Sequence, residues 1–376
     1  MPNLRHQPYV QTRRDAWVEI NLGNIEKNFL TLKKYAKNGT KIFAIIKADA
    51  YGHNATMIAP SLVALGINAF GVASVDEGIE LRNSGCEVPI LVLGAVPTWS
   101  FIAAVQHDIS LSIFTKEHLK AAVQAYEHTK IPVKVHVKID TGMNRIGLYY
   151  KDAPEFINEV LKMKEIQLDG IFSHLACAED REKTEIQAQR FRFVQEQFPD
   201  LRAHLLNTAG IISYPDLQFN VMRAGIGIYG LMPDLPEGAV APKLFPAMSL
   251  KGRIVYLKDV EQGEGISYSH TYKTEKKTRI ATIPIGYADG VPRALSNKIS
   301  GIINGKKVPQ VGNITMDQMM FDVTDAGDVN VGDVITLIGE DDGQEIKIDE
   351  WANLLGTIHY ELTCRLKVRL PRVYTR

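Results

Sequence analysis

The stretch that decides the fold is KIFAIIKADAYGHNATMIAPSLVALGINAFGVASVDEGIELRNSGCEVPILVLG (41–94). In it, short apolar runs alternate with longer segments of helical periodicity. Apolar runs that are nearly continuous in Val, Ile, Leu and Phe are typical of parallel strands covered on both faces. The alternation continues to about Gly230 and gives eight apolar runs, at 42–47, 69–74, 90–94, 111–114, 133–139, 168–174, 203–207 and 221–230.

Eight strands that alternate with helices predict an α/β fold of the (β/α)8 TIM-type barrel class. A doubly wound open sheet is the alternative, but no G-x-G-x-x-G motif follows the first strand. An amphipathic segment at 24–37 predicts a helix ahead of the first barrel strand.

The character of the chain changes after about Lys243, where strand-like segments are separated by glycine and aspartate turns. We therefore predict a barrel domain over 1–243 and a mostly β C-terminal domain over 244–376. The β domain has one convincing helical segment, at 348–356, and the proline-rich segment 233–246 is the predicted linker. Residues 1–20 are candidates to pair with the β domain, because WVEINL (17–22) reads as a strand.

Composition excludes several classes of protein. Lys+Arg and Asp+Glu are both 43, so the net charge is zero, which argues against a nucleic-acid binder and against a polybasic membrane-surface protein. No apolar run approaches the length of a membrane span, and the first residues lack the apolar core of a secretory signal. The three cysteines (Cys86, Cys177, Cys364) are widely spaced and odd in number, which predicts a reducing cytoplasm and no disulfide framework or zinc site.

Candidate site residues follow from the barrel, because a (β/α)8 active site lies at the C-terminal ends of the strands. A lysine there can form a Schiff base, and bare glycine N–H groups can hold a phosphate. Taken singly, each feature has a more common explanation. A lysine at the end of a strand is more often a solvated surface residue, a G-I-G triplet is more often a tight turn, and a histidine in a strand is more often a core residue. Together with the absence of metal motifs such as H-E-x-x-H, they suggest pyridoxal phosphate. The polar residues that end or follow the runs are Lys47, Tyr51, Lys138, Arg145, His174, Asn207, Thr208, Arg223 and the triplet Gly225-Ile226-Gly227.

Six motifs, in order along essentially the whole chain, resemble the alanine racemases. These are two-domain, pyridoxal-phosphate-dependent enzymes with a (β/α)8 barrel and a β domain. The motifs are AIIKADAYGH (44–53), KIDTGMNRIG (138–147), VMRAGIGIYG (221–230), ISYSHTY (266–272), PIGYADG (284–290) and TMDQMM (315–320).

The resemblance implies two catalytic bases on opposite faces of the substrate. Lys47 would carry the cofactor as an internal aldimine and move the α-proton on the D-alanine face. Tyr268, supplied by the partner subunit of a homodimer, would serve the L-alanine face. Racemisation needs both, since one base removes the proton and the other returns it. A tyrosine has an ordinary pKa near 10, so cationic neighbours would have to lower it, and His174 and Arg223 are the candidates.

Further roles are carried over from the family residue by residue. Arg223 would face the pyridine nitrogen and His204 would orient it, while Arg145 and the backbone of Met316 would bind the substrate carboxylate. Lys138 matches a lysine that is often carbamylated, and the alternative is an unmodified lysine beside a bound anion. Tyr287 and Asp317 match residues that line the narrow entry and the rim of the active site. The alternative is that they serve ordinary packing and turns in the β domain. The implied cofactor-binding residues are Lys47, Tyr51, His174, His204, Asn207, Thr208, Arg223, Gly225 and Ile226.

The chain departs from the family pattern in the pocket. Val368 stands where some members have a tyrosine, and Asn313 and Thr315 stand where arginine and cysteine are frequent. These changes predict an altered pocket size or cofactor affinity without the loss of a catalytic residue.

The expected function is alanine racemisation, an isomerase activity that supplies D-alanine for peptidoglycan. The alternatives are a serine or broad-specificity amino-acid racemase of the same fold, a pyridoxal-phosphate-binding homeostasis protein, and a basic amino-acid decarboxylase. The homeostasis proteins resemble the barrel alone, whereas this chain adds a β domain that carries Tyr268. A decarboxylase needs no second proton-transfer base.

Overall fold

The computed structural model describes residues 15–366 and 369–376, which form two compact units. One unit is formed by residues 22–246. The other combines residues 15–21 with residues 247–376, so the strand Ala16–Asn21 lies in the second unit and not in the barrel.

Parallel strands close the first unit into an eight-stranded barrel. Each strand pairs with the next, and the last pairs with the first, Val221 lying opposite Lys41. The barrel predicted from sequence is therefore confirmed, and the doubly wound sheet is excluded. The strands are Lys41–Ile45, Ala69–Val72, Ile90–Val92, Ile109–Ile113, Val133–Asp140, Ile166–Phe172, Arg202–His204 and Val221–Ala224, with the short strand Leu148–Tyr149 paired to the end of Val133–Asp140.

Helices join the barrel strands, and several begin at a side-chain cap. The Ser74 and Thr115 hydroxyls and the Asp180 carboxylate each accept a backbone N–H of the first helical turn. The helices are Leu22–Lys33, Lys47–Gly52, Ala55–Ala64, Val75–Asn83, Phe101–Gln106, Lys116–Thr129, Ala153–Val160, Arg181–Gln195 and Thr208–Ser213, with 3-10 turns at Thr98–Ser100, Pro215–Leu217 and Ile226–Tyr229.

The second unit is built on an extended β-sheet. Its N-terminal strand Ala16–Asn21 pairs antiparallel with Met248–Arg253 and parallel with Arg372–Thr375. The other strands of the sheet are Tyr256–Val260, Thr278–Ile283, Ser300–Ile303, Lys306–Val311, Met319–Asp322, Val334–Asp341 and Gln344–Ile346, and a separate two-stranded ribbon joins Gly265–Ile266 to Tyr272–Lys273.

Two helices, Ile348–Leu355 and His359–Arg365, accompany this sheet. Only the first was expected from sequence. The second spans seven residues, which is too short for its apolar periodicity to stand out. Short 3-10 turns lie at Tyr268–His270, Tyr287–Asp289 and Arg293–Leu295. In the part of the chain that the structure describes, no helix combines the length and hydropathy needed to cross a membrane.

Candidate active site

Lys47 follows the first barrel strand and begins a turn whose backbone is left-handed. Ala48, Asp49, Ala50 and Tyr51 all have φ between 52° and 54°, which makes Lys47–Gly52 a left-handed helical turn. This conformation costs an L-residue about 1–2 kcal/mol. Backbone strain of this kind persists only where the surroundings hold it, and it is common at functional sites.

Two carboxylates hold the turn in place. The Glu77 side chain accepts the N–H of Ala48 at 2.8 Å through one oxygen and the N–H of Ala73 at 2.7 Å through the other. Asp49 accepts the N–H of Ala55 at 2.8 Å. Glu77 therefore ties the residue after Lys47 to the end of the neighbouring strand.

A polar cradle lies where the seventh and eighth strands end. The Thr208 hydroxyl accepts the N–H of Gly225 at 3.0 Å and that of Gly227 at 3.4 Å. A Cβ at Gly225 would lie 3.4 Å from the Tyr51 hydroxyl and 3.8 Å from Thr208 Oγ1, so Gly225 lies beside both hydroxyls. The Asn207 side chain accepts the N–H of Gly210 at 2.9 Å and begins the helix that carries Thr208.

Arg223 is the buried cation of the barrel. Its side chain is 3% exposed, and burial lowers its pKa to about 9, so it stays protonated at neutral pH. Nη1 donates to His204 Nδ1 at 2.8 Å. Nη2 lies 2.8 Å from the Ser173 carbonyl, 3.0 Å from the Leu205 carbonyl and 3.1 Å from His174 Nδ1.

The guanidinium sets the tautomers of its histidine partners. Arginine only donates, so Nδ1 of His204 and Nδ1 of His174 must both accept, and their protons lie on Nε2. His204 Nε2 then donates to His136 Nδ1 at 3.0 Å. Burial lowers the pKa of each histidine, to about 3 for His136, and the charge of Arg223 adds to the effect. The direction of this shift favours a neutral His174 at pH 7, which leaves Arg223 as the cation of the pair.

Lys138 lies on the same strand as His136 and is 3% exposed. Its ammonium position is 4.9 Å from the centroid of the Phe172 ring. Burial, with a smaller effect of Arg223, lowers its pKa to about 7, although the Asp140 carboxylate opposes the shift. The lowered pKa favours the uncharged amine form of this side chain more than in an ordinary lysine.

The loop after this strand carries Arg145, whose side chain is exposed. Asp140 shapes the loop, because its carboxylate accepts the N–H of Gly142 at 2.9 Å and that of Asn144 at 3.1 Å. Asn144, just before Arg145, has φ 55°.

Gln187 is a residue that the sequence analysis missed. Its Nε2 donates to the His174 carbonyl at 3.0 Å and to Thr141 Oγ1 at 3.1 Å, and its Oε1 accepts the N–H of Ala176 at 2.8 Å. Thr141 Oγ1 also lies 2.8 Å from Ser173 Oγ. Gln187 belongs to the helix Arg181–Gln195, and nothing in the local pattern distinguishes it from a surface glutamine.

The remaining candidates belong to the second unit. Tyr268 is 70% exposed and Met316 is 53% exposed. Tyr287 lies beside the methionine segment, because its N–H donates to the Thr315 carbonyl at 3.0 Å and the next N–H donates to the Met316 carbonyl at 3.0 Å. Asp317 accepts Arg369 Nη2 at 2.6 Å. Val368 lies outside the described residues.

Among residues 15–366 and 369–376, no group of three His, Cys, Asp or Glu side chains is arranged to hold a metal ion. The candidate site is therefore described by its lysine, its buried guanidinium and its hydroxyl and N–H cradle.

Family models match both units of the chain. Residues 20–233 match the model of the alanine racemase N-terminal domain, and residues 247–374 match that of the C-terminal domain. Alanine racemase 2 of Oceanobacillus iheyensis is 41% identical over 370 residues, which cover 96% of this chain and 94% of that protein.

Solved structures of related proteins have the same fold. Alanine racemase from E. faecalis superposes with a TM-score of 0.91 at 37% identity, over 97% of this chain and all of that one. A histidine racemase from Leuconostoc mesenteroides gives a TM-score of 0.89 at 28% identity, over 99% of this chain and 100% of that one. By sequence and structure, the chain belongs to the alanine racemase family of isomerases.

Proposed function

We propose that this enzyme interconverts L- and D-alanine with pyridoxal phosphate, and that Lys47 and Tyr268 are its two bases. The observation that carries the proposal is the arrangement at the carboxyl ends of the barrel strands. There the strained turn that begins with Lys47 ends at Tyr51, which approaches the cradle of Thr208 and Gly225.

The residues of the cradle fit a phosphate group. The Tyr51 and Thr208 hydroxyls and the backbone N–H of Ile226 would donate to its oxygens. The Gly225 N–H, which donates to the Thr208 hydroxyl in the structure, would turn to the phosphate, and Asn207 would keep Thr208 in place through the cap of its helix. Gly225 suits this role because its backbone lies beside the two hydroxyls. When bound, pyridoxal phosphate would supply an electron-accepting ring that makes the α-hydrogen of an attached amino acid acidic.

Arg223 would lie against the ring nitrogen of the cofactor, and His204 would orient it. A guanidinium with a pKa of about 9 donates a hydrogen bond but keeps its proton at neutral pH. A donor that keeps its proton would leave the ring nitrogen unprotonated, so the bound ring would withdraw electrons less strongly and transamination would be disfavoured.

The two bases would act from opposite faces of the α-carbon. Lys47 Nζ would take or return the proton on the D-alanine face, and the Tyr268 phenol oxygen would do so on the L-alanine face. His174 Nδ1 accepts from Arg223, so its Nε2–H is a donor that can stabilise a tyrosinate, with Arg223 as the cation behind it.

Arg145 and the Met316 backbone would hold the substrate carboxylate, with Tyr287 and Asp317 at the entry. The low pKa of Lys138 supports its carbamylation, because only an uncharged amine reacts with carbon dioxide. The carbamate would place a negative charge where it can position Arg145.

The proposal includes a homodimer in a reducing cytoplasm, with D-alanine used for peptidoglycan. The exposed side chains of Tyr268 and Met316 support sites shared between subunits. In a twofold dimer each subunit would lend these residues to the other, giving two equivalent sites.

The test is to incubate the purified holoenzyme with L-alanine in heavy water and to follow chirality and α-deuteration together. We expect D-alanine that carries deuterium at Cα. Deuteration without inversion would show that Tyr268 is not the second base. If no hydrogen exchange occurs at Cα while the cofactor is bound, the protein is a binding protein instead. L-serine and L-histidine are run in parallel, since the fold is shared with a histidine racemase, and a faster reaction with either would overturn the assignment of alanine.

A further inference from the structure

The loop that presents Tyr268 is strained on both sides of that residue. Ser267, Ser269 and His270 have φ of 63°, 61° and 45°, and none of them is a glycine. L-residues rarely adopt this left-handed conformation unless surrounding contacts impose it. The loop therefore needs an external restraint to keep its shape.

Asn313 supplies this restraint through two reciprocal hydrogen bonds. Its Nδ2 donates to the Tyr268 carbonyl at 2.7 Å, and the Ser267 hydroxyl donates to the Asn313 carbonyl at 2.7 Å. Asn313 is 7% exposed, so water competes little for these bonds. Together they hold the Ser267 side chain and the peptide unit that follows the Tyr268 Cα.

The segment that carries Asn313 is itself held firmly. Gly312 has φ 75°, its N–H donates to Asn297 Oδ1 at 2.6 Å, and its carbonyl accepts Gln310 Nε2 at 2.8 Å. A Cβ at Gly312 would lie 2.7 Å from the Ile266 carbonyl oxygen and 2.9 Å from Ser267 Cβ. The backbone at 312 thus lies directly against the Tyr268 loop, and only glycine permits this approach.

We propose that Asn313 is a positioning residue for the second base: its side-chain amide fixes the backbone of Tyr268 and thereby places the phenol oxygen. The inference rests on the proposed function, in which Tyr268 acts on the L-alanine face. The Tyr268 side chain is 70% exposed, so little within its own unit fixes the ring. The phenol oxygen lies at the far end of that side chain, so a small rotation of the backbone displaces it strongly.

The test compares Asn313→Asp and Asn313→Ala with the control Asn304→Asp. Aspartate keeps the size of asparagine but places an acceptor against the Tyr268 carbonyl. Asn304 is a matched control because its Nδ2 also donates to backbone carbonyls of the same unit, those of Ala326 and Asp328, at 3.2 and 2.9 Å. Each holoenzyme is incubated in heavy water with D-alanine and with L-alanine, and inversion and α-deuteration are measured separately.

We expect both Asn313 variants to racemise alanine about 10- to 100-fold more slowly, because a misplaced catalytic group costs rate on this scale. The α-deuteration of D-alanine with retained configuration should continue near the wild-type rate, since Lys47 serves that face. With D-alanine as the substrate, the ratio of deuteration with retained configuration to inversion should rise above that of wild type. With L-alanine as the substrate, it should not rise. The variant Tyr268→Phe should give the same pattern, and Asn304→Asp should behave as wild type.

Racemisation within about twofold of wild type in both variants would overturn the inference. So would an equal loss of racemisation and of D-alanine exchange, or loss of folding in both variants by circular dichroism, since Asn313 would then act through stability alone. Failure of the proposed function would be visible in the wild-type enzyme, which would neither invert nor deuterate alanine.

Discussion

Three histidines form a group with one cation, Arg223: His136 and His204 are buried, and His174 is half-buried. His174 and His204 accept its hydrogen bonds, and His136 accepts from His204. Burial and the guanidinium both disfavour the second ring proton that would make any of these histidines a cation. Their neutrality fixes the direction of every hydrogen bond in the group and leaves His174 Nε2–H as a donor.

This neutrality predicts an acid-sensitive barrel. In the unfolded chain a histidine takes a proton near pH 6.5, whereas the pKa of His136 in the folded protein is about 3. Between these values the unfolded state binds more protons, so the stabilising contribution is complete above pH 6.5 and declines as the pH falls. We expect the free energy of unfolding of His136→Gln to fall less steeply than that of wild type, by about 1 kcal/mol per pH unit below pH 6. Urea unfolding between pH 7 and pH 5 measures this.

The control for that experiment is His128→Gln, which changes an exposed imidazole at the end of the helix Lys116–Thr129. The free energy of unfolding of this variant should depend on pH as steeply as that of wild type. Parallel slopes for all three proteins would contradict a neutral His136.

The left-handed turn Lys47–Gly52 is the structural element on which the proposed chemistry depends most. It is held from outside by Glu77, whose two oxygens accept the backbone N–H groups of Ala48 and Ala73. A carboxylate suits this position because it presents acceptors on both oxygens and no donor. Glutamine would place an N–H₂ group against one of the two backbone N–H groups.

Glu77→Gln should therefore destabilise the protein by about 1 kcal/mol, the net worth of one hydrogen bond, because both backbone donors lie at exposed residues. Because the turn begins with Lys47, the affinity for pyridoxal phosphate should fall as well. Thermal unfolding and a cofactor titration provide the two measurements. Glu80→Gln, an exposed position on the same helix, should leave both unchanged; equal effects of the two substitutions would assign the loss to helix charge rather than to the turn.

The elements differ in how far sequence could predict them. The barrel strands were predictable because burial on both faces leaves nearly continuous apolar runs, and Lys47 and Arg223 could be found because they end or lie within such runs. The left-handed turn could not be predicted, since Ala48, Asp49, Ala50 and Tyr51 have no shared preference for positive φ. One of the side chains that hold it, Glu77, is distant in sequence.

The supporting residues of the site could not be predicted from sequence for the same reason. Gln187 contacts His174 and Thr141 from the helix Arg181–Gln195, and Asn313 contacts Tyr268 across 45 residues of chain. Their roles arise from tertiary proximity and not from local pattern. Asn313 was noticed only as a departure from the family, and its bond to the Tyr268 carbonyl became visible in the structure.

At the scale of the whole molecule, the proposed bases lie in different units of the chain. Lys47 belongs to the barrel unit, and Tyr268 is an exposed side chain of the β unit. An exposed tyrosine whose backbone is fixed by a buried amide is consistent with a side chain delivered to a second subunit. A shared site has a consequence that a site within one chain lacks, because two defective subunits can complement each other.

We expect Tyr268→Phe and Lys47→Ala, each nearly inactive alone, to regain activity when mixed under conditions that allow subunit exchange. A hybrid dimer would hold one site with both substitutions and one site with neither, so random exchange should restore about a quarter of wild-type activity per subunit. Differently tagged subunits allow the hybrid to be purified and its racemisation measured directly. A mixture of Tyr268→Phe with wild type should have no more racemisation activity than its wild-type subunits have alone. A purified hybrid without activity would place Lys47 and Tyr268 of the same chain in one site and would refute the shared-site dimer.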